Sequence, residues 1–210
     1  MYPPPYYKEK DRAVLIAFMR EHPFVIVSGS DGDNKPVATH IPLLPEEKDG
    51  KLFLYGHVQR RTDHQLAFEQ NPRVLAIFTG PHAYISASWY TNPQMASTWN
   101  YMTVHASGTL RFLDDAALLD LLAKTTNHFE QTPQSPALVE KMPEEYVSRM
   151  MKAIVAFEIE VTALDNVFKL SQNRDRASYG QIIARLEEQG GEATLVAAEM
   201  EKRRLQLFKE

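Results

Sequence analysis

The chain has 210 residues and no cysteine, which excludes disulfides, thiol catalysis and cysteine-held metal together. A formal charge of −4 supplies no general basic field for nucleic acid, and 44% hydrophobic against 24% charged residues fits one sizeable globular core. Met1-Tyr2-Pro3-Pro4-Pro5 lacks the basic and apolar parts of a secretory signal, and no apolar run approaches the ~20 residues that span a bilayer, so a reducing cytoplasm is the expected setting.

Prolines 3 to 5 prescribe an extended start. Asp11 then opens a helical pattern with Val14, Leu15 and Phe18 on one face, closed before Pro23. Residues 24–27 form a short β-branched apolar run, a strand. The Asp-, Gly- and Asn-rich segment 29–35 is a hairpin connection, and 37–44 is the returning strand. Pro42 inside that return points to an edge position or to pairing that stops there. A turn at Lys48-Asp49-Gly50 leads into a strand over 52–57.

Thr62 with Gln65 three residues later is a capping box, so a helix starts there and runs to Gln70, where Asn71-Pro72 ends it. Residues 73–78 and 82–86 are strand-like, with a turn expected at Gly80-Pro81. In 99–112, Met102, Val104, Ala106, Leu110 and Phe112 alternate with Tyr101, Thr103, His105, Ser107 and Arg111, the pattern of a strand with one buried face. A helix over 114–129 carries Leu118, Leu121, Leu122, Thr125 and Phe129 at helical spacing. A shorter helix follows over 144–152, then an alternating strand over 153–161, and from Tyr179 a charged helical stretch interrupted at Gly190-Gly191. Six or so strands with helices inserted between them predict an α+β chain, mainly antiparallel β, curled into a closed barrel that hides its strand edges. A split over residues 1–165, the barrel, and 166–210, a C-terminal loop and helical extension, is the expected organisation.

Two segments could carry chemistry. In Tyr55-Gly56-His57-Val58-Gln59-Arg60-Arg61-Thr62 a strand ends, a loop holds two arginines and a capped helix begins. Helix N-termini and guanidinium forks both suit phosphate oxygens, so the loop reads as a mononucleotide phosphate cradle or, equally, as solvated loop charge. Asp63 would repel a phosphate. The stretch 80–101 is dense in aromatic rings and small hydroxyls, which can face a flat heterocycle and bond its polar edge, or can form an ordinary core margin. The histidines at 40, 57, 64, 82 and 105 show no metal-ligand spacing, and Ser86 and Ser88 lack a nucleophile elbow.

Val37-Ala38-Thr39-His40-Ile41-Pro42-Leu43, the 80–90 run, Thr98-Trp99-Asn100-Tyr101 with Val104-His105, and Ser171-Gln172-Asn173-Arg174 together resemble the PaiB family, described as FMN-binding negative transcriptional regulators. The resemblance spans nearly the whole chain. It implies a flavin-binding split β-barrel related to pyridoxamine 5′-phosphate oxidase, a homodimer with FMN at the subunit interface. The cofactor residues it implies are Thr39, His40, Tyr55, His57, Arg60, Arg61, Thr62, Trp99, Asn100, Ser171, Gln172, Asn173 and Arg174. Thr62 stands where that oxidase has a second phosphate-gripping base, and Ser171-Gln172-Asn173-Arg174 replaces its substrate-holding Arg-x-His. Three functions stay open: a flavin-binding regulator, a flavin-dependent oxidoreductase of unknown substrate, and a haem-binding split barrel. No helix-turn-helix is visible, and Lys202, Arg203 and Arg204 form the one short basic cluster, which also suits the dipole of a helix ending; DNA is an open partner.

Overall fold

The computed structural model describes residues 1, 2 and 4–208; Pro3 of the expected extended start and the last two residues of the expected extension lie outside the described residues. In chain order the elements are α1 (Arg12–Glu21), β1 (Phe24–Ser30), β2 (Pro36–Pro42), β3 (Leu44–Lys48), β4 (Lys51–Gln59), α2 (Asp63–Gln70), β5 (Arg73–Ile85), β6 (Thr98–Phe112), α3 (Asp115–Glu130), α4 (Glu144–Met151), β7 (Ile154–Lys169), α5 (Arg176–Gln189) and α6 (Glu192–Leu207). The helix starts follow from local chemistry. The carboxylates of Asp114 and Asp175 accept the N–H groups of Ala117 and Ser178, each at 2.9 Å, and Gly190 and Gly191 take φ of 72° and 59° to separate α5 from α6.

The strands form one seven-stranded antiparallel sheet in the order β2-β1-β5-β6-β7-β4-β3. Its end strands, β2 and β3, are consecutive in sequence with Leu43 alone between them, so the sheet curls until first and last strands meet at that residue. This is a curled half-barrel, the split-barrel architecture that the family resemblance implied, and it stays open where strand alternation alone suggested a closed barrel. Leu43 is fully buried and its N–H donates to Pro23 O at 2.8 Å.

Four expectations need correction. The strand returning over 37–44 stops at Pro42, because the chain bends at Leu43 and starts a new strand, β3, paired with β4 from Leu44↔Tyr55 to Lys48↔Lys51. The expected turn at Gly80-Pro81 is absent, and β5 runs through both residues, which are buried. Proline is tolerated there because β5 meets β1 at Ile26↔Ile77, and β1 runs out before Pro81 is reached. The last strand extends to Lys169, well beyond the expected end. In α1 the buried face is Leu15, Ile16, Phe18 and Met19, while Val14 stays exposed.

Backbone packing divides the chain into two compact units. One comprises Met19–Phe78 and His105–Leu164. In it α3 lays Leu118 and Leu121 on Ala156 of β7, with Leu44, Tyr55 and Ile154 at the margin. Full burial of a leucine of this kind stabilises by about 1.5–3 kcal/mol. Gly56 is needed for close approach: a Cβ there would stand 2.5 Å from Leu43 Cδ2 and 2.9 Å from Phe157 Cζ. The other unit comprises Met1–Phe18, Thr79–Val104 and Asp165–Glu210, and so takes in residues 166–210. Here α5 packs on α6 through Ile182, Leu186, Val196 and Met200, and the buried Tyr179 hydroxyl donates to Met200 O at 2.8 Å.

Candidate functional site

The expected cofactor residues fall into two groups, one in each unit. Thr39, His40, Tyr55, His57, Arg60, Arg61 and Thr62 lie in the unit that holds β1 to β4; Trp99, Asn100 and Ser171 to Arg174 lie in the other.

In the first group, Thr39 is half-buried and His40 exposed on the edge strand β2, with the His40 ring 6.1 Å from Phe24. Tyr55 and His57 share the face of β4 that α3 covers, opposite Glu158 and Ala156 of β7. Burial alone lowers the His57 pKa, which favours the neutral imidazole. The Tyr55 hydroxyl is pushed up, first by burial and then by the charges of Glu158 and Glu46, while Lys124, 5.9 Å over its ring, opposes them.

The loop after β4 is built by short-range bonds. Arg60 N donates to Ala153 O at 2.8 Å, which ties the loop to the residue ahead of β7. Arg61 adopts φ of 64°, and its N–H donates to Gln65 Oε1 at 2.8 Å. Gln65 N in turn donates to Thr62 Oγ1 at 3.4 Å. The capping box is therefore present but shifted: Gln65 reaches back to Arg61 instead of to the cap residue, because the left-handed turn at Arg61 brings that N–H round. His64 N donates to the Asp63 carboxylate at 2.8 Å, which lowers the Asp63 pKa and keeps a negative charge at the helix start. Two of the first N–H groups of α2 are thus already taken, and the basic side chains carry what anion affinity the loop has. The Arg60 guanidinium meets Asp115 at 3.5 Å with both side chains largely exposed, a contact worth little in water. Arg61 is exposed and has no carboxylate within ion-pair distance among the described residues.

In the second group, Trp99 is 52% exposed, with His82 and Tyr84 rings 6.0 and 5.9 Å away. Asn100 is fully buried; its Oδ1 accepts from Ser171 Oγ at 3.1 Å and its Nδ2 approaches Met200 Sδ at 3.4 Å. Ser171 has φ of 62°, and Gln172 folds back, its Oε1 accepting from Leu170 N at 2.7 Å and its Nε2 donating to Phe168 O at 2.5 Å. The structure thus joins Asn100, Ser171 and Gln172 to the protein's own groups. Asn173 is exposed, and the Arg174 guanidinium lies 4.2 Å over the Tyr90 ring. Three residues outside the expected set belong to this neighbourhood: Tyr7, Tyr90 and Lys169. The sequence holds one signal for the last of these, a lysine set within the apolar run Val167, Phe168 and Leu170 at a strand end.

Among the described residues no cluster of three or more His, Asp or Glu is placed to hold a metal, and no helix is long and apolar enough to cross a membrane.

A curled antiparallel half-barrel with helices packed on it defines a split-barrel fold. Residues 1–163 match the family described as "Putative FMN-binding domain", and the chain belongs to that family, in agreement with its PaiB-like motifs. "Protease synthase and sporulation protein PAI 2" of Bacillus subtilis is 35% identical over 188 residues, 89% of each chain. An uncharacterised protein, AN0679 of Emericella nidulans, is 26% identical over 225 residues, covering 88% of this chain and 90% of its own. Two solved structures share the fold at low identity. The FAD and heme binding protein of Mycobacterium smegmatis superposes with a TM-score of 0.59 at 17% identity, over 78% of this chain and 73% of that one. The flavocytochrome Anf3 of Azotobacter vinelandii gives 0.53 at 13%, over 80% and 72%.

Proposed function

We propose that this chain binds FMN, gripping its phosphate with Arg60 and Arg61 ahead of the Thr62 cap, whose hydroxyl is committed to Gln59 O and Gln65 N, and that it works as a cytoplasmic homodimer. The observation that carries the reading is the Arg61 side chain, exposed on a backbone turn that its own N–H bond to Gln65 holds in place and with no carboxylate within ion-pair distance among the described residues. Arg60 stands beside it in an exposed contact with Asp115 that a phosphate could displace at little cost. The family description supports the same reading. FMN, once bound, would supply redox chemistry, and the protein its orientation and surroundings. Asp63 opposes a phosphate here, so two guanidinium groups are required where a lone base would be too weak.

The regulatory role implied by the PaiB resemblance would not run through the basic cluster near the C-terminus. Lys202 and Arg203 both pair with Glu199 at 2.5 Å, and Arg204 with Glu201 at 3.3 Å, on their own helix. Charges spent in this way leave little to release counterions from a duplex.

FMN titration followed by flavin absorbance and fluorescence tests the cofactor reading. Saturable binding is expected, weakened at least about tenfold in the Arg60→Ala, Arg61→Ala double variant, which corresponds to about 1.4 kcal/mol. Equal affinity in parent and double variant would remove the phosphate assignment. Absence of duplex binding at low salt would exclude direct DNA recognition.

A further inference from the structure

Lys169 closes β7 and is 8% exposed. Its Nζ donates to Thr98 Oγ1 and to Trp99 O, both at 2.6 Å, so two of its three protons go to neutral acceptors. Arg174, five residues on, stacks on the Tyr90 ring and aims Nη1 at Met95 Sδ at 3.2 Å, a weak acceptor that leaves most of its donors unused. No carboxylate lies within ion-pair distance of either cation among the described residues. The obvious counter-ion is Asp175, the next residue in sequence. Its carboxylate is committed elsewhere: it accepts from Ser178 N at 2.9 Å, Ser178 Oγ at 2.6 Å and Thr91 Oγ1 at 3.2 Å. Beside Arg174, the hydroxyl of Tyr90, a residue 5% exposed, is buried with no hydrogen-bond partner.

Two cations, one of them buried, and an orphaned hydroxyl form an arrangement that a protein interior tolerates badly unless an anion completes it. The groups lie in one unit and meet one segment: Lys169 Nζ bonds Thr98 and stands 5.9 Å over the Tyr7 ring, and Arg174 reaches Met95. A guanidinium fork offers two parallel N–H groups that match the two oxygens of a planar carboxylate, with the remaining ammonium proton as a third donor. We propose that Lys169 and Arg174, with the hydroxyl of Tyr90, form a binding site for the carboxylate of a small organic acid. The resemblance implied Arg174 as a cofactor residue; with its guanidinium on the Tyr90 ring it belongs instead to this site, which is separate from the Arg60 and Arg61 loop and does not depend on flavin being bound. An anion there would hold Lys169 protonated against the burial that lowers its pKa.

Calorimetric titration of benzoate into the full chain, with and without saturating FMN, tests the site. Saturable benzoate binding is expected, with benzamide failing to compete. Lys169→Met and Arg174→Gln should each weaken benzoate at least about tenfold while FMN affinity stays within about twofold of the parent. Both variants should stay folded, Arg174→Gln because its side chain is partly exposed. Between the lowered Lys169 pKa and the ordinary 10.5, benzoate binding should take up protons in the parent and not in Lys169→Met. The proposal fails if benzoate affinity is unchanged in Arg174→Gln, if inorganic phosphate binds more tightly than benzoate, or if FMN affinity falls with benzoate affinity. That last result would assign the two cations to the cofactor.

Discussion

The chain builds the same kind of strand-to-helix loop twice and uses charge differently in each. After β4 come Arg60 and Arg61, a left-handed residue at Arg61 and the cap Thr62; at the end of β7 come Lys169 and Arg174, a left-handed residue at Ser171 and the cap Asp175. In the first loop both arginines face water and one exchanges weakly with Asp115. In the second, Lys169 is buried on neutral acceptors and Arg174 lies on an aromatic face. Hydrated charge costs the fold almost nothing and binds only what can outcompete water. Desolvated charge is costly in the empty protein and correspondingly strong toward the right anion. The first loop suits a charged group that remains partly in solvent, such as a phosphate tail. The second suits a smaller anion taken out of it.

Four substitutions would break or sharpen that contrast. The largest effect should come from the frame of the first loop: Leu118→Ala, under α3, should lower stability by about 2–5 kcal/mol in urea unfolding. In the other unit, Tyr179→Phe keeps the ring and removes the hydroxyl's bond to Met200 O, a carbonyl that stays within α6, for an expected loss of about 0.5–1.5 kcal/mol. Thr62→Ala removes the cap of α2 and should cost about 1 kcal/mol, with loss of helical ellipticity as a second readout.

Lys169→Met should move the other way, raising the stability of the ligand-free protein by on the order of 1 kcal/mol, because it replaces an uncompensated buried cation by an apolar side chain of similar length. The pH dependence follows. The Lys169 pKa is lowered in the folded chain, first by burial and then by Arg174, so between that value and the ordinary 10.5 the unfolded chain holds more protons. Stability of the parent should therefore rise with pH across that window, and Lys169→Met should lack the increment. A variant clearly less stable than the parent would show that the two 2.6 Å bonds of Lys169 outweigh its desolvation.

Much of the fold could be read from the chain because the signals were local. Asp11, Thr62 and Asp114 do open helices, Gly190-Gly191 does separate α5 from α6, and the alternation in β6 does bury Met102, Val104, Ala106 and Leu110. The misreadings arose where a distant strand settled the matter. Gly80-Pro81 has the composition of a turn, but its place beyond the end of β1 lets β5 run on through it. Pro42 marked where the pairing of the returning strand stops, but nothing local shows that Leu44 begins a new strand; Leu43 turns the chain with its N–H bonded to Pro23 O.

For the sites the division is similar. Residue types and spacing determined that the chain is a cysteine-free, mainly antiparallel α+β protein and that the basic loop of Arg60 and Arg61 precedes a helix capped by Thr62, while the PaiB-like motifs carried the resemblance to the FMN-binding family. Tertiary structure decided which of those charges are buried and which polar groups are already spent. Asn100 and Ser171 proved to be each other's partners, Asp175 turned from its neighbour Arg174 toward Ser178 and Thr91, and Lys169 was left in the interior without an anion. Those outcomes depend on contacts between residues up to 84 positions apart. Hydrogen-bond partnership and desolvation at such separations are properties of the packed chain, and no local pattern encodes them.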